Sequence, residues 1–326
     1  MYPLPDIDDT YDASHDIPIE IFEEASIEVN KDDVALSDTL NKEQRAAYNE
    51  IMSSIDTKDG GLFFVDASIM PGGRTAHSRF KIPLTINNGA FCTFTKQSGT
   101  AKLLRVASLI IWDEVTMIKR QGVEALDNNL RDIMDRPELP FGGKTMVFGG
   151  DFRQVLPVVQ RGSRAQVVGA SLRMSYLWDS MRHLKLVRNM RAKSDPWFAE
   201  YLLRVGGGSE EATVDDEIRL PYDICVPHTG KDMTVNKAQG QTILNIGVYL
   251  PKPVGSHDQL YVALSRATAR SNIKILAVSA AEKDVNKEKG KGKGKRKKRP
   301  TKDIFTKNID TSKYSFNYLH ASAARS

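Results

Sequence analysis

The chain has 326 residues, enough to bury a sizeable core and to form about two domains. Its hydrophobic content of 40% and charged content of 27% are ordinary for a soluble globular protein, no apolar run approaches the ~20 residues that span a bilayer, and the acidic, proline-bearing amino terminus does not resemble a signal peptide, so an intracellular protein with no membrane partner is expected. The net charge of +5 conceals an asymmetry, with eleven acids against one lysine in residues 1–36 and eleven Lys or Arg against two acids in residues 283–302, a distribution that suits a polyanionic partner.

Residues 1–36 begin with Pro3 and Pro5 and lack a sustained apolar period, which predicts a flexible lead-in. From Leu40 to Ile55 the residues Ala47, Ile51 and Ile55 fall on one helical face, with Thr39 or Asn41 as the cap. Gln44 lies near the start of that helix; its carboxamide is suited to both edges of an adenine ring, or it is simply a solvated glutamine. Leu62–Val65 reads as a short buried strand. A nucleotide-binding α/β domain would follow it with a glycine-rich loop of the form G-x-x-x-x-G-K-[ST], but Asp66 runs directly into Ala67-Ser-Ile-Met-Pro-Gly-Gly73. The chain's one Gly-Lys-Thr, Gly143 to Thr145, has Glu138 where the upstream glycine belongs and leads into a strand. It is therefore a decoy.

Arg74 to Pro83 is rich in groups that bind phosphate oxygens and contains Phe80, a candidate for stacking on a base, although an ordinary polar loop has the same composition. Cys92 and Cys225 lie in separate segments and suggest neither a disulfide nor a zinc site. A helix is expected over Thr100–Val106. Ala107 to Glu114 is then an apolar, β-branched run ending in two carboxylates, a buried parallel strand delivering Asp113 and Glu114 to the carboxyl edge of a sheet. A hard cation that bridges phosphates needs an oxygen ligand there and an attacking water needs a base beside it, roles that Asp113 and Glu114 respectively fit. The plain alternative is a strand that ends in acids.

Lys119–Met134 has the pattern of a packing helix, through Val123, Leu126, Leu130 and Met134. Lys144 to Pro157 again takes an apolar strand into glycines and an acid, after which Arg153 and Gln154 face the same edge as Asp113. A helix over Gly162–Trp178, a strand over His183–Val187 and a helix over Pro196–Arg204 follow, the last with Trp197 and Phe198 as core. Gly206 to Glu217 is a break in composition. Asp223–Val226 and Met233–Val235 are short strand candidates, Asn245–Leu250 and Asn272–Val278 fuller ones. Between the last two, Ser256 caps a helix with Leu260, Val262 and Leu264 buried and Arg266 near its carboxyl end, either complementing the dipole or projecting across a cleft as an arginine finger. The run Lys283 to Arg299 cannot build a core and reads as a nuclear-import signal or a polyanion arm.

Taken together, the strings LNKEQRAAY, GLFFVD, PGGRTAHSRFKIP, LIIWDE, PFGGKTMVFGGDFRQVLPVV, RNMR, TVNKAQGQT and QLYVALSRAT resemble the Pif-type ATP-dependent DNA helicases of superfamily one, including the helicase parts of Helitron-like transposons. The resemblance implies an α/β, RecA-like P-loop NTPase fold with a parallel sheet, in which two such domains bind ATP and Mg2+ and step 5′ to 3′ along single-stranded or forked DNA, with roles in repair, recombination and telomere maintenance in the nucleus. It assigns the adenine contact to Gln44, the metal to Asp113, activation of water to Glu114 and the γ-phosphate contact to Gln154, with Arg191 and Arg266 reaching that phosphate from the second side. Thr75, His77, Ser78 and Phe80 fall in a segment beside the DNA. The TVNKAQGQT segment couples nucleotide to DNA, with Gly240 on the nucleotide side and Thr234, Lys237 and Gln239 on the DNA side.

Two departures are internal. The phosphate loop, its helix and a further strand are skipped after Asp66, and much of the second domain is skipped between Arg204 and Lys231. The expected layout is an acidic disordered lead-in over 1–36, an incomplete first RecA-like domain over 37–205, a linker over 206–230, a remnant of the second domain over 231–280 and a basic disordered tail over 281–326. Two functions are open on this reading: a helicase that hydrolyses ATP, and a noncatalytic remnant that binds DNA or a helicase subunit.

Overall fold

The computed structural model describes residues 17–27, 35–66, 74–154, 156–186, 189–211, 217–226, 245–250, 259–277 and 304–307. Helix α1 (Ile19–Ala25) lies within the stretch expected to be a flexible lead-in. Its order comes from ion pairs rather than from an apolar face, which is why no hydrophobic period announces it: Glu23 meets Arg74 at 3.0 Å, and Glu24 pairs with Arg79. Helix α2 (Lys42–Thr57) begins with a capping box, in which Asn41 accepts from the Gln44 backbone N–H at 2.9 Å and the Gln44 side chain accepts from the Asn41 backbone N–H at 3.0 Å.

Strand β1 (Gly61–Val65) follows, then the one-turn helix α3 (Ala76–Arg79), helix α4 (Gly99–Val106) and strand β2 (Leu109–Trp112). Helix α5 (Arg120–Ile133) leads to strand β3 (Thr145–Gly149); helix α6 (Arg164–Ala170) and two short 3-10 turns, in place of the longer helix expected to Trp178, lead to strand β4 (Arg182–Leu184). The four strands form one parallel sheet in the order β2-β3-β1-β4, with Leu62 and Ile110 both in register with Met146. Every strand is connected through helical segments, as parallel pairing requires.

Around this sheet lies the first core. Phe64, Trp112, Phe141, Phe148 and Phe152 are its aromatic centre, with Phe64 stacked on Phe152 at 5.2 Å and Trp112 beside Phe148 at 6.4 Å. Helix α5 buries Val123, Leu126, Leu130 and Ile133, and also buries Glu124 and Asp127. The fully buried Asp127 carboxylate accepts from the Phe141 backbone N–H (2.5 Å), the Tyr176 hydroxyl (2.6 Å) and Arg131 Nε (2.8 Å). A buried charge satisfied this fully holds the Phe141–Gly142 turn, where both residues have positive φ, against the helix. The pattern of apolar residues located the helix but not this polar clamp.

Strand β2 sits at the sheet edge, with no partner beyond it among the described residues. Ile110 and Trp112 are buried whereas Ile111 between them is 40% exposed.

A second core begins near Ala192. It gathers helix α7 (Pro196–Gly206), strand β5 (Glu217–Leu220), strand β6 (Ile246–Leu250), helix α8 (Gln259–Leu264) and strand β7 (Ile273–Ala277), with Phe198, Tyr201, Leu202, Leu260, Leu264 and Ile275 at its centre. Strands β6 and β7 are parallel, and β5 pairs antiparallel with β8 (Ile304–Lys307), which lies inside the stretch expected to be a disordered tail. Helix α7, expected to close the first domain, belongs to this second core because Phe198, Tyr201 and Val205 face α8 and β5 rather than the large sheet. Trp197 is 40% exposed and stacks on Tyr201 at 5.3 Å under the guanidinium of Arg270, so of the two aromatics only Phe198 is core. Tyr222–Ile224 is a 3-10 turn, not a strand, although Cys225 bridges to Ile275; Met233–Val235, Ser256 and Lys283–Arg299 lie outside the described residues.

The edge position of β2 makes its two faces unequal. Trp112→Ala should destabilise the protein by about 3–5 kcal/mol, the usual cost of truncating a large core aromatic, while Ile111→Ala should cost less than ~1 kcal/mol because the residue already meets water; urea denaturation followed by circular dichroism checks both.

Candidate nucleotide and DNA site

Three strands of the large sheet end in acids at its carboxyl edge: Asp66 after β1, Asp113 after β2, and Asp151 two residues beyond the end of β3. The turn after β2 is tight. Asp113 Oδ1 accepts from the Glu114 backbone N–H at 2.7 Å, and Glu114 takes a left-handed conformation with φ of 53°. A non-glycine residue is held there only where surrounding structure determines it, and strain of this kind clusters at functional sites. Both carboxylates are half-buried. Directly after them, Thr116 is buried with its hydroxyl unpaired among the described residues and packs against Gly150, where a Cβ would lie 2.9 Å from the threonine methyl carbon.

Asp151 organises the next layer. Its Oδ1 accepts from the backbone N–H and Nε of Arg153, at 2.9 and 2.8 Å, and its Oδ2 accepts from the Tyr261 hydroxyl of α8 at 2.8 Å. The Arg153 guanidinium also lies 5.6 Å from the Tyr261 ring centroid. One carboxylate thereby joins the first core to the second. Burial pushes the Tyr261 hydroxyl pKa up, and Asp151 pushes it further, so it remains a proton donor in this bond. For Arg153, burial opposes the charge but Tyr261 and Asp151 outweigh it, and its pKa is raised.

That junction brings Arg266 to the cleft. The residue is only 2% exposed, with Nε donating to the Val262 carbonyl at 3.0 Å and Nη2 to the Ser265 hydroxyl at 2.9 Å. Burial lowers its pKa, and Arg191 lowers it further, while Glu114, Tyr261 and Asp151 pull the other way. Arg191 itself donates to the Ser265 carbonyl at 3.0 Å. Gln154 is 8% exposed and its Oε1 is buried with no hydrogen-bond partner among the described residues. Glu114 and Arg191, expected from separate motifs, are thus both near enough to Arg266 to influence its charge, while the hydrogen bonds Arg266 makes are to its own segment, at Val262 and Ser265.

At the end of β1 the character changes. The Asp66 carboxyl pKa is raised, first by burial and then by Asp151, against the partial compensation of Arg153, Arg173 and His183. Arg173 is held over the Phe152 ring at 4.3 Å. Among the described residues no three His, Cys, Asp or Glu side chains group closely enough to hold a metal ion, so a cation on Asp113 would complete its shell with water and ligand oxygens.

On the DNA side, Thr75, His77 and Ser78 are exposed on and just before α3, where a strand can reach them. Phe80 is not available for stacking on a base: it is 7% exposed and packs on Trp112 at 5.3 Å, because the apolar core beneath the short helix takes up its ring. Gln44 uses its side-chain oxygen in the α2 capping box. Thr234, Lys237, Gln239 and Gly240 lie outside the described residues. Asp151 and Tyr261, the pair joining the cores, had no role in the sequence reading; the available signal was a Gly-Gly-Asp turn in one string and a tyrosine five residues before Arg266 in another.

Comparison with known proteins fits this geometry. Residues 65–216 match the model of the PIF1-like helicase family. The ATP-dependent DNA helicase Pif1 of Bdellovibrio bacteriovorus is 36% identical over 104 residues, 30% of this chain and 23% of that protein. The ATP-dependent DNA helicase PIF4 of Trypanosoma brucei brucei is 33% identical over 95 residues, 28% of this chain and 12% of that protein. The chain thus spans less than a quarter of the length of these curated relatives. Among solved structures, a Pif1 helicase from work on unwinding of forked double-stranded DNA by two coordinating Pif1 helicases aligns with a TM-score of 0.52 at 15% identity, over 76% of this chain and 96% of that one. The Bacteroides Pif1 helicase in complex with ADP-AlF3 and single-stranded DNA aligns with a TM-score of 0.51 at 14% identity, over 73% and 95%. These two likenesses establish the α/β, RecA-like fold. The motif strings, the parallel sheet and the family match agree in making residues 65–216 similar to Pif1-type helicases.

Proposed function

We propose that the chain is a helicase-derived protein that binds single-stranded or forked DNA and whose own ATP turnover is impaired. The observation that carries the second half is the end of β1. Where backbone amides and a lysine would cradle the β and γ phosphates, Asp66 stands beside Asp151 with its ionised form disfavoured, and residues 67–73 contain no lysine. The residues present on that side do not fit a triphosphate, whose negative charge would add to that of two carboxylates. Phosphoryl transfer depends almost wholly on positioning and charge stabilisation, and the skipped segment is the one that supplies both.

DNA binding is supported by the exposed Thr75, His77 and Ser78 beside Arg74 and Arg79, by the basic run 283–302, and by the bound or unwound DNA named for the two structural neighbours. A second reading, an active ATP-dependent helicase, draws on the cleft itself. Glu114, Gln154, Arg191 and Arg266 are retained around one boundary, and Asp113 stands ready for Mg2+. The 5′ to 3′ direction, the roles in repair, recombination and telomere maintenance, and ATP as a working cofactor belong to that reading; a nuclear location follows from Lys283 to Arg299 as an import signal under either.

The expected outcome is measurable affinity for a fluorescein-labelled thymidine oligonucleotide that falls roughly fiftyfold between about 50 and about 200 mM salt, the effect of about four phosphate contacts on a single strand. ATP hydrolysis in the presence of that DNA should not exceed that of Glu114→Gln; turnover abolished by this substitution would overturn the impaired reading, and no DNA affinity at low salt would sink the binding one. The tail contribution is read by deleting residues 283–302.

Asp66 yields a separate expectation. Its pKa is raised in the folded state, so ionisation opposes folding above that value. Asp66→Asn should therefore raise Tm at pH 7, with the gain disappearing as pH falls through the folded-state pKa towards the ordinary value of 3.8. Thermal melts of both proteins across that range check the sign.

A further inference from the structure

Helix α1 is docked the wrong way round for a helix held by the hydrophobic effect. Ile17, Ile19 and Phe22 are 62, 69 and 65% exposed, and none of its residues is buried. Its carboxylates face the protein instead. Glu23 reaches Arg74 at 3.0 Å and Arg79 at 3.7 Å, Glu24 pairs with Arg79, and Glu20 lies beside Thr100 Oγ1 at 3.5 Å, against Gly99 at the start of α4. The two arginines bracket Thr75, His77 and Ser78.

We propose that α1 is an internal competitor of nucleic acid: its row of carboxylates occupies the Arg74/Arg79 face in place of phosphates, and a strand that binds there displaces it. This rests on the reading of that face as a DNA surface and adds its regulation. Glu23 and Glu24 stand at i+3 and i+4 from Glu20, each about 5–6 Å from it, so the three acids share one face of the helix and present a local concentration of negative charge, as a stretch of nucleic-acid backbone does. Partly exposed ion pairs of this kind are individually weak and are screened by salt. With only Ile21 and Pro18 partly buried and no fully buried apolar residue to back them, they make a contact that a polyanion reverses. While α1 is docked, the face is open for only a fraction of the time, and the apparent affinity for DNA is reduced by that fraction.

The test uses the full chain carrying Glu20→Gln, Glu23→Gln and Glu24→Gln, with a control that removes three exposed acids elsewhere, Asp56→Asn, Asp59→Asn and Glu138→Gln. The first variant should bind a 30-nucleotide thymidine strand about fivefold to tenfold more tightly than the parent, and the control should shift it much less. Equal shifts, or none, overturn the proposal. In the parent, hydrogen exchange at residues 19–25 should accelerate when the oligonucleotide is added, and unchanged exchange with DNA bound counts against the proposal equally. If neither protein binds the oligonucleotide, the DNA reading fails on its own. The same exchange measurement with inorganic polyphosphate then decides the competition, release of α1 supporting it and continued protection overturning it.

Discussion

The arrangement at the cleft depends on one carboxylate. Asp151 accepts from Arg153 on one oxygen and from Tyr261 on the other, and those bonds are what connect a helix of the second core to the end of β3 in the first. Residues 151 and 261 are 110 positions apart, so the bond closes a long loop. Removing the Tyr261 hydroxyl would leave a partly buried carboxylate oxygen without its donor, a loss of about 1–3 kcal/mol. The larger effect would be geometric, since the same bond fixes the position of α8, and with it Arg266, relative to the end of β3. In a protein with two hydrophobic centres, a polar bond at their boundary sets the relative position that apolar packing within each leaves free.

Much of the first core could be read from the amino acids alone. The apolar runs that become β1, β2 and β3 end in acids or glycines, the period of α5 is unambiguous, and Asp113, Glu114 and Gln154 emerge at the sheet edge as their strands require. What escaped notice shares a physical character. Helix α1 is held by ion pairs, Asp127 by hydrogen bonds, and the Asp151–Tyr261 junction by a contact between distant segments. None of these leaves a periodic trace in the sequence. Phe80 failed in the opposite direction: an aromatic among basic and polar residues looks like a stacking platform, and only the packing on Trp112 shows that it is core.

The site is unevenly preserved. Glu114, Gln154, Arg191 and Arg266, the residues proposed to act on a nucleotide, stand around one boundary, while the end of β1 would offer negative charge to such an anionic ligand. Burying Asp66 beside Asp151 is costly, and Arg153, Arg173 and His183 offset that cost rather than bind a ligand. The positive charge near the end of β1 is thus partly offset by the protein's own acids. The same relation recurs at α1, where Glu23 and Glu24 occupy Arg74 and Arg79.

Strand order carries a consequence for how the chain is made. Among the described residues strand β1 pairs with β3 and β4, and its Gly61 lies in register with Thr145, 84 positions later. At a synthesis rate of about 5–20 residues per second, Leu62, Phe63 and Phe64 wait roughly 4–17 seconds before a neighbour emerges. Long-range parallel pairing is slow even after that. Of the described elements that pack on β1, α2 is the one translated before it. Leu62, Phe63 and Phe64 are thus translated early and paired late, so how long these apolar side chains stay uncovered is set by strand order and not by the stability of the finished core.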